Sequence, residues 1–462
     1  MKDKKEALEY AQKWLKIIKQ EELPDKELGE WIIKESVSNF KEHFNKGWLE
    51  NRKSITQAGE WAVTEWNGKG AMFRDVMGRK YIDFLGGYGL MSHGWSNPDI
   101  IEAVNAQLLR SPMPSQELMD PLRGAFARIM SEITPGKIKY SFFAASGTEA
   151  VEGAIKLAKL YTKKDAFIVA TDAFHGKTMG SLSMIGKSNY REPLGVLYGG
   201  HVYHIPFGDA DALEQQLETC RKIGIGVAAV MFEPIQGEAG AIVPPDDFWP
   251  RARELTKRYE TLLIADEVQT GLGRTGKFWG VENWDVAPDI MTSGKALGGG
   301  VMPVSSFSAR EEIWQSMMYP NPFIHTTTTG GGALACAAAI ASISVALRDD
   351  YPKQAEEKGN YIKKELEKLA EKYPNIYHKI TGKGLLLGQH FVSNDIGYKV
   401  SSECFKRGLL VAGTLNSSKT IRVEPPIVIT YEEIDEGLNR LKDALKAVSK
   451  MCDDDKKRCR IA

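Results

Sequence analysis

An α/β fold is what this chain predicts: a mostly parallel sheet with helices on both faces, followed by a smaller α+β unit. Three observations predict it. Short apolar runs alternate with helical segments through the middle of the chain, and those runs end abruptly in polar residues. Beyond residue 348 the composition changes to charged helices around two strand patterns.

Taken in order, residues 1–20 and 27–46 read as two polar-faced helices split by Leu23-Pro24-Asp25. In the first, Leu8, Trp14, Leu15 and Ile18 supply the apolar spacing. From about 60 to 93 the pattern turns to short strands and glycine turns, EWAVTEW and then YIDFLGGYG. The strand YSFFA leads into a helix over 147–162, and FIVAT (167–171), VAAVMF (227–232) and TLLIA (261–265) are further strands. Helices over 210–222 and 247–259 separate them, and IMTSG (290–294) and VSSFSA (304–309) complete the set. A Gly/Ala-rich helix over 331–348 precedes charged helices over 353–372 and 431–450, placed around the strands LLLGQHFV and TIRVEPP.

Bulk properties exclude several classes of function. A chain of 462 residues calls for a large domain and a smaller one. Lys+Arg and Asp+Glu both number 60, so no net field favours nucleic acid or an anionic membrane. The five cysteines lack metal-ligand spacing, so no metal is expected. Cys452 and Cys459, in the tail CDDDKKRCR, read as a frayed end. No run approaches the roughly 18 apolar residues of a membrane span, and the start lacks the apolar region of a secretory signal. The cytoplasm is the expected location.

Four local features carry chemistry. Lys295 stands between a strand pattern and the glycines 298–300, a poor place for a solvated side chain. A lysine held there can condense with an aldehyde cofactor. Asp266 closes the strand LLIAD and is followed by Glu267. Two carboxylates at a strand end are costly unless paired, and a cationic ring nitrogen would pair Asp266. Alternation then puts Val268 on the side of the ring, with Gln269 in reach of a ring oxygen. Ser146-Gly147-Thr148-Glu149 opens a helix, where free N–H groups attract a phosphate; the same residues also read as a capping box. Phe174-His175-Gly176 follows FIVAT, where an aromatic ring can stack on a flat cofactor; core packing for Phe174 and a hydrogen-bonded turn for His175 are the plainer readings.

The ordered set SGTEA, FHGK, EPIQGE, ADEVQTGLGRTG, SGKALGGG and HTTTT resembles the class III aminotransferases of fold type I, from about residue 30 to 450. The resemblance implies a seven-stranded, mostly parallel (mixed) sheet in a large domain over 78–345. It also implies a small α+β domain built from both ends, 1–77 and 346–462. Pyridoxal 5'-phosphate is the implied cofactor. Lys295 is the implied cofactor lysine and proton carrier, Asp266 the ring-nitrogen partner, Gln269 the ring-oxygen contact, and Val268 and Phe174 the ring faces. Ser146, Gly147 and Thr148 form the implied phosphate loop, with His175 beside the ring. Thr328 would come to the phosphate from the neighbouring subunit of a homodimer, dimers that could pair further into tetramers. Glu233 and Arg422 are the implied pair in which the arginine takes an acceptor's carboxylate and otherwise rests on the glutamate. Tyr88 and Gln116 would line the substrate channel.

The implied reaction moves the terminal amino group of a diamine (putrescine, with cadaverine) to 2-oxoglutarate, giving 4-aminobutanal and L-glutamate by ping-pong kinetics. A broader ω-amine transaminase using pyruvate, or a mutase on the same cofactor, stays open as the alternative. A dinucleotide-binding oxidoreductase stays at lower weight, because its discriminator, a strand leading directly into GxGxxG with an acidic residue about 20 positions later, is not found. One departure stands out: Thr329 and Gly330-Gly331-Gly332-Ala333 replace the family's aromatic and Gly-Gly-Asn-Pro. The expected result is a more flexible segment and a wider pocket near the subunit boundary.

Overall fold

The protein is described here by a computed structural model covering residues 4–50, 62–195, 200–415 and 417–461, with side chains to residue 452. The first two residues of EWAVTEW fall outside that range.

The central sheet has seven strands: β4 (Ile138–Ala144), β5 (Ala166–Ala170), β6 (Val202–Ile205), β7 (Val227–Phe232), β8 (Leu262–Asp266), β9 (Ile290–Ser293) and β10 (Ser305–Arg310). Three earlier strands are β1 (Glu65–Lys69), β2 (Met72–Asp75) and β3 (Lys80–Asp83). The spatial order of the seven is β4-β10-β9-β8-β7-β5-β6. Only β10 runs against its neighbours, pairing antiparallel with both β4 and β9. The other pairings are parallel. The C-terminal ends of β4, β5, β7, β8 and β9 therefore lie along one edge.

Strands such as AFIVA and VAAVMF are apolar throughout because helices cover both faces, and every residue in them is buried. Alternation divides their side chains between two cores. In β7, Val230 and Phe232 join Trp249 and Phe143 on one face, while Ala229 and Met231 join Val151 and Phe307 on the other.

The smaller half is built on β11 (Tyr377–Lys383), β12 (Leu386–Phe391), β14 (Ala412–Gly413) and β15 (Thr420–Val423), an antiparallel sheet in the order β11-β12-β15-β14. Helices Tyr351–Lys372, Asn394–Lys406 and Tyr431–Ile461 pack on it around Ile362, Leu387, Val400, Ile421 and Leu438. The short strand β13 (Leu409–Leu410) leaves this sheet and pairs in parallel with β3, tying β1–β3 to the C-terminal part. Arg274, fully buried, joins the two halves. Its Nη1 donates to the carbonyls of Leu385 (3.1 Å) and Pro425 (2.6 Å), and its Nη2 donates to Ser92 Oγ (2.8 Å).

Three expectations need correction. The first helix, Lys5–Ile18, packs through Ile17 and Trp14 against Ile32 and Ile33, while Leu8, Leu15 and Ile18 are exposed. Its apolar spacing indicated a neighbouring face, not the buried one. The last helix does not fray at 450 but runs to Ile461. The glycines 330–332 are close-packed instead of loose. A Cβ on Gly331, whose φ is 61°, would lie 2.6 Å from Phe143 Cβ, and one on Gly332 would lie 2.9 Å from Met113 Sδ. Arg123 Nε also donates to Gly331 O at 3.1 Å. Here glycine allows close approach of backbone to side chain.

Candidate active site

The loops leaving β4, β5, β7, β8 and β9 converge at their shared edge, the position where open α/β sheets bind ligands. After β4, Ser146 takes extended angles (φ −144°, ψ 153°) and caps the helix Gly147–Thr162. Its Oγ donates to Glu149 Oε2 (2.9 Å), which also accepts from Ala145 N (3.0 Å). The N–H groups of Gly147 and Thr148 are then among the orphan donors of the first turn. A Cβ on Gly147 would stand 2.8 Å from Val268 Cγ1, and one on Gly294 would lie 3.7 Å from Gly147 Cα and 3.5 Å from Val268 Cγ1. On the other side, a Cβ on Gly176 would collide with Thr148 Oγ1, which is hydrogen-bonded to Thr178 and Ser181. The Ser146-Gly147-Thr148 turn, the Phe174-His175-Gly176 turn, Val268 and the Gly294-Lys295 loop thus form one wall.

Asp266 ends β8 with its carboxylate almost wholly buried. Oδ1 accepts from Thr292 Oγ1 (2.9 Å), its register partner on β9, and from Val268 N (3.2 Å). Oδ2 accepts from His175 Nδ1 at 2.7 Å. Burial opposes charge on that imidazole, yet Asp266 prevails and raises its pKa above the ordinary histidine value. His175 Nε2 is buried without a hydrogen-bond partner. The adjacent Glu267 points the other way, accepting from Gly280 N and Val281 N (2.8 Å each) and from Thr270 Oγ1. Both carboxylates at the strand end are therefore satisfied.

Lys295 opens a short 3-10 turn at φ 47°, a left-handed backbone rarely taken by a residue with a side chain. Burial lowers its pKa and Arg422 adds to that effect, while Glu424, Glu238 and Glu233 oppose it. A desolvated amine that loses its proton readily is the form that attacks a carbonyl.

The arginine pair differs from expectation. Arg422 Nη1 lies 2.8 Å from Glu238 Oε1, not against Glu233. Glu233, at the end of β7, instead accepts from Phe174 N and Gly237 N, both at 3.0 Å, so it holds the turn carrying Phe174. Burial pushes its carboxyl up to about 7; His175 lowers it and Asp266 raises it. EPIQGE contains both glutamates, and spacing alone could not say which one faces the arginine. The guanidinium is fully buried, and none of Nε, Nη1 and Nη2 makes a hydrogen bond, so Nη1 meets Glu238 as an ion pair only. The Tyr88 ring lies 5.0 Å from the guanidinium, with Tyr88 held at φ 62°.

Gln269 joins this group through a residue the motifs did not reveal, Glu424. Gln269 Nε2 donates to both oxygens of that buried carboxylate, at 2.9 and 3.0 Å. Gln116 and Thr328 form a second, exposed group, in which Gln116 Nε2 donates to Thr328 O (2.7 Å).

The residues present fit pyridoxal 5'-phosphate. They offer an amine whose burial favours its neutral form, a buried carboxylate for a ring nitrogen, helix-end donors for a phosphate, and unused guanidinium donors for a substrate.

Comparison with known proteins agrees with that donor set. The profile of the family "Aminotransferase class-III" matches residues 56–445. The chain is 47% identical over 430 residues to a putrescine aminotransferase of Pectobacterium atrosepticum, an alignment covering 92% of each. Among solved structures it resembles the ornithine aminotransferase of Toxoplasma gondii, with TM-score 0.79, 30% identity, and 88% and 95% of the two chains covered. It also resembles a PLP-bound amine transaminase from an uncultivated Pseudomonas species, with TM-score 0.78, 27% identity, and 86% and 97% covered. The family profile and the relative, each matched along most of the chain, place this protein in the class III aminotransferases, which depend on pyridoxal phosphate.

Proposed function

We propose that the chain transfers the terminal amino group of a diamine, putrescine and with it cadaverine, to 2-oxoglutarate. The products are 4-aminobutanal, which cyclises to 1-pyrroline, and L-glutamate. The relative at 47% identity is a putrescine aminotransferase, which supports the choice of amine. The observation that carries the proposal is the buried Arg422–Glu238 pair beside Lys295. A diamine has no carboxylate, so Arg422 rests on Glu238 while the amine reacts. A 2-oxo acid brings a carboxylate, which Arg422 takes through its free Nε and Nη2. One cavity then serves two unlike partners in turn, and ping-pong kinetics follow.

Bound at Lys295, pyridoxal phosphate supplies an aldehyde carbon that accepts the amino group and a ring that spreads negative charge. Asp266 keeps a proton on the ring nitrogen, with His175 orienting the carboxylate. With the cofactor bound, Lys295 Nζ would be the group that carries the proton away from the carbon bearing the amine. Phe174 and Val268 would pack on the ring faces, and Gln269 would reach the ring oxygen. Ser146, Gly147 and Thr148 would hold the phosphate, joined by Thr328 of the partner subunit in a homodimer. Exposed Leu109, Leu118, Met119 and Phe323 near the Gln116–Thr328 group support such an interface. Tyr88 and Gln116 line the approach.

Purified protein loaded with pyridoxal phosphate and mixed with putrescine, cadaverine or bulky aryl amines, then with 2-oxoglutarate or pyruvate, tests the proposal through cofactor absorbance in each half-reaction. Glutamate formed from putrescine and 2-oxoglutarate is the expected result. A loaded enzyme that is inert to putrescine but aminates pyruvate from aryl amines would overturn it.

A further inference from the structure

Four buried carboxylates surround the Lys295–Gln269 region, and three have partners that explain them. Asp266 meets His175, Glu238 meets Arg422, and Glu233 meets two backbone N–H groups. Glu424 is fully buried, and the recorded side-chain partner of its carboxylate is a neutral amide, that of Gln269. Among the described residues no guanidinium or ammonium hydrogen-bonds that carboxylate, although the charges of Lys295 and Arg274 act on it from nearby, so the amide contact calls for a purpose.

We infer that Glu424 is a positioning residue, which fixes the Gln269 carboxamide nitrogen-first and sets a negative charge one hydrogen bond behind it. The inference rests on the cofactor reading above, in which Gln269 reaches the ring oxygen.

The geometry leaves the amide little freedom. A carboxylate accepts and cannot donate, so Gln269 must present Nε2 to Glu424. One N–H suffices to span the two oxygens at 2.9 and 3.0 Å, which frees the second hydrogen for an anionic ring oxygen. Bare glycines wall the pair on both sides. A Cβ on Gly237 would collide with Gln269 Oε1, and one on Gly89 would stand 2.6 Å from Glu424 Oε1 and 3.5 Å from Gln269 Cγ. Glu424 is itself clamped, because its N donates to Phe84 O at 2.8 Å and its carbonyl abuts Gly86, where a Cβ would collide. It lies one residue past the end of β15 and two residues after Arg422. Glu424 also leads the charges that favour the ammonium form of Lys295. It therefore acts on the ring oxygen by geometry and on the lysine by charge.

The test compares loaded wild type with Glu424→Gln, Glu424→Asp, Gln269→Ala and the double variant E424Q/Q269A. Two readouts are used, the pH midpoint of the cofactor's visible absorbance change and the affinity for pyridoxal phosphate. In E424Q the midpoint falls by about one unit, because a nearby anion no longer opposes the proton-free form. Affinity falls about tenfold, since the amide can turn either end to the ring. In the double variant affinity falls no further than in Q269A, because Glu424 acts through Gln269. E424D keeps the charge but shortens the reach, so its midpoint stays near wild type while its affinity drops. That variant carries the test if E424Q does not fold. An unchanged midpoint and affinity in E424Q, additive losses in the double variant, or wild-type affinity in E424D would each overturn the inference. Failure of the cofactor reading looks different: wild type itself would show no visible band that is lost in Lys295→Ala.

Discussion

Arg422 and Glu238 form a closed ion pair, Nη1 to Oε1 at 2.8 Å, in which the carboxylate also accepts from Leu415 N (2.7 Å) while the guanidinium keeps unused donors. The glutamate is the better anchored of the two, so the arginine is the member able to leave. Arg422→Ala should slow reaction with 2-oxoglutarate by about 10²-fold or more, roughly 3 kcal/mol for a lost buried charge contact, and spare the amine half-reaction. Single-turnover absorbance of each half-reaction measures the split, and equal losses in both halves would contradict the division of labour.

Lys295→Ala should lower turnover by about 10³-fold or more, because both proton transfers use its Nζ. Its side chain lies outside both hydrophobic cores of the central sheet, so thermal stability should change little. Steady-state rates alongside a melting curve check both parts.

Asp266→Asn keeps shape but removes charge, and two effects should appear together. Turnover falls about 10²–10³-fold as the ring nitrogen loses its anion. His175, held above its ordinary pKa by Asp266 against the opposing effect of burial, becomes neutral at pH 7, which NMR titration of its ring protons would show. A variant in which the histidine titrates as before would refute the pairing.

His93 is buried against Ser342 O (Nε2 to O, 2.9 Å), and burial pulls its pKa down to about 4. The unfolded chain binds this proton near pH 6.5 and the folded one only near 4, so stability falls as the pH drops through that window. The full effect is about 3 kcal/mol for one such group. His93→Gln retains an amide donor and should flatten the acid limb, read as unfolding free energy at several pH values between 4 and 7.

Gly153 faces the Phe307 ring, where a Cβ would collide. Gly153→Ala should therefore cost about 1–3 kcal/mol despite alanine's better helix propensity. Chemical denaturation measures it, and a stabilised variant would show that the ring can shift.

Where apolar pattern and burial coincide, the sequence was close to sufficient. The helix Gly147–Thr162 and the strand Val227–Phe232 begin and end where their periodicity placed them, because both faces of the sheet are covered. The first helix was harder to read. Its apolar residues outnumber those it buries, and only a partner surface decides which stripe turns inward. Within the site, Asp266, Val268, Gln269 and Lys295 announced themselves by standing at strand ends. Glu238 and Glu424 did not. Glu238 follows a second candidate by five residues in the same motif, and Glu424 lies 155 residues from the amide it holds. Such pairings arise from loops meeting in space, which local spacing does not encode. The glycines 330–332 misled for a related reason, since a residue without a side chain looks the same whether it grants motion or permits tight contact.

The guanidinium of Arg274 makes the enzyme a fixed vestibule and not a clamshell. Spreading the halves apart would strand a cation in a dry seam and sever three short bonds at once, a penalty far above thermal energy. Reactant traffic would then rely on small local swings, such as the one proposed for Arg422, through a doorway whose frame stays still.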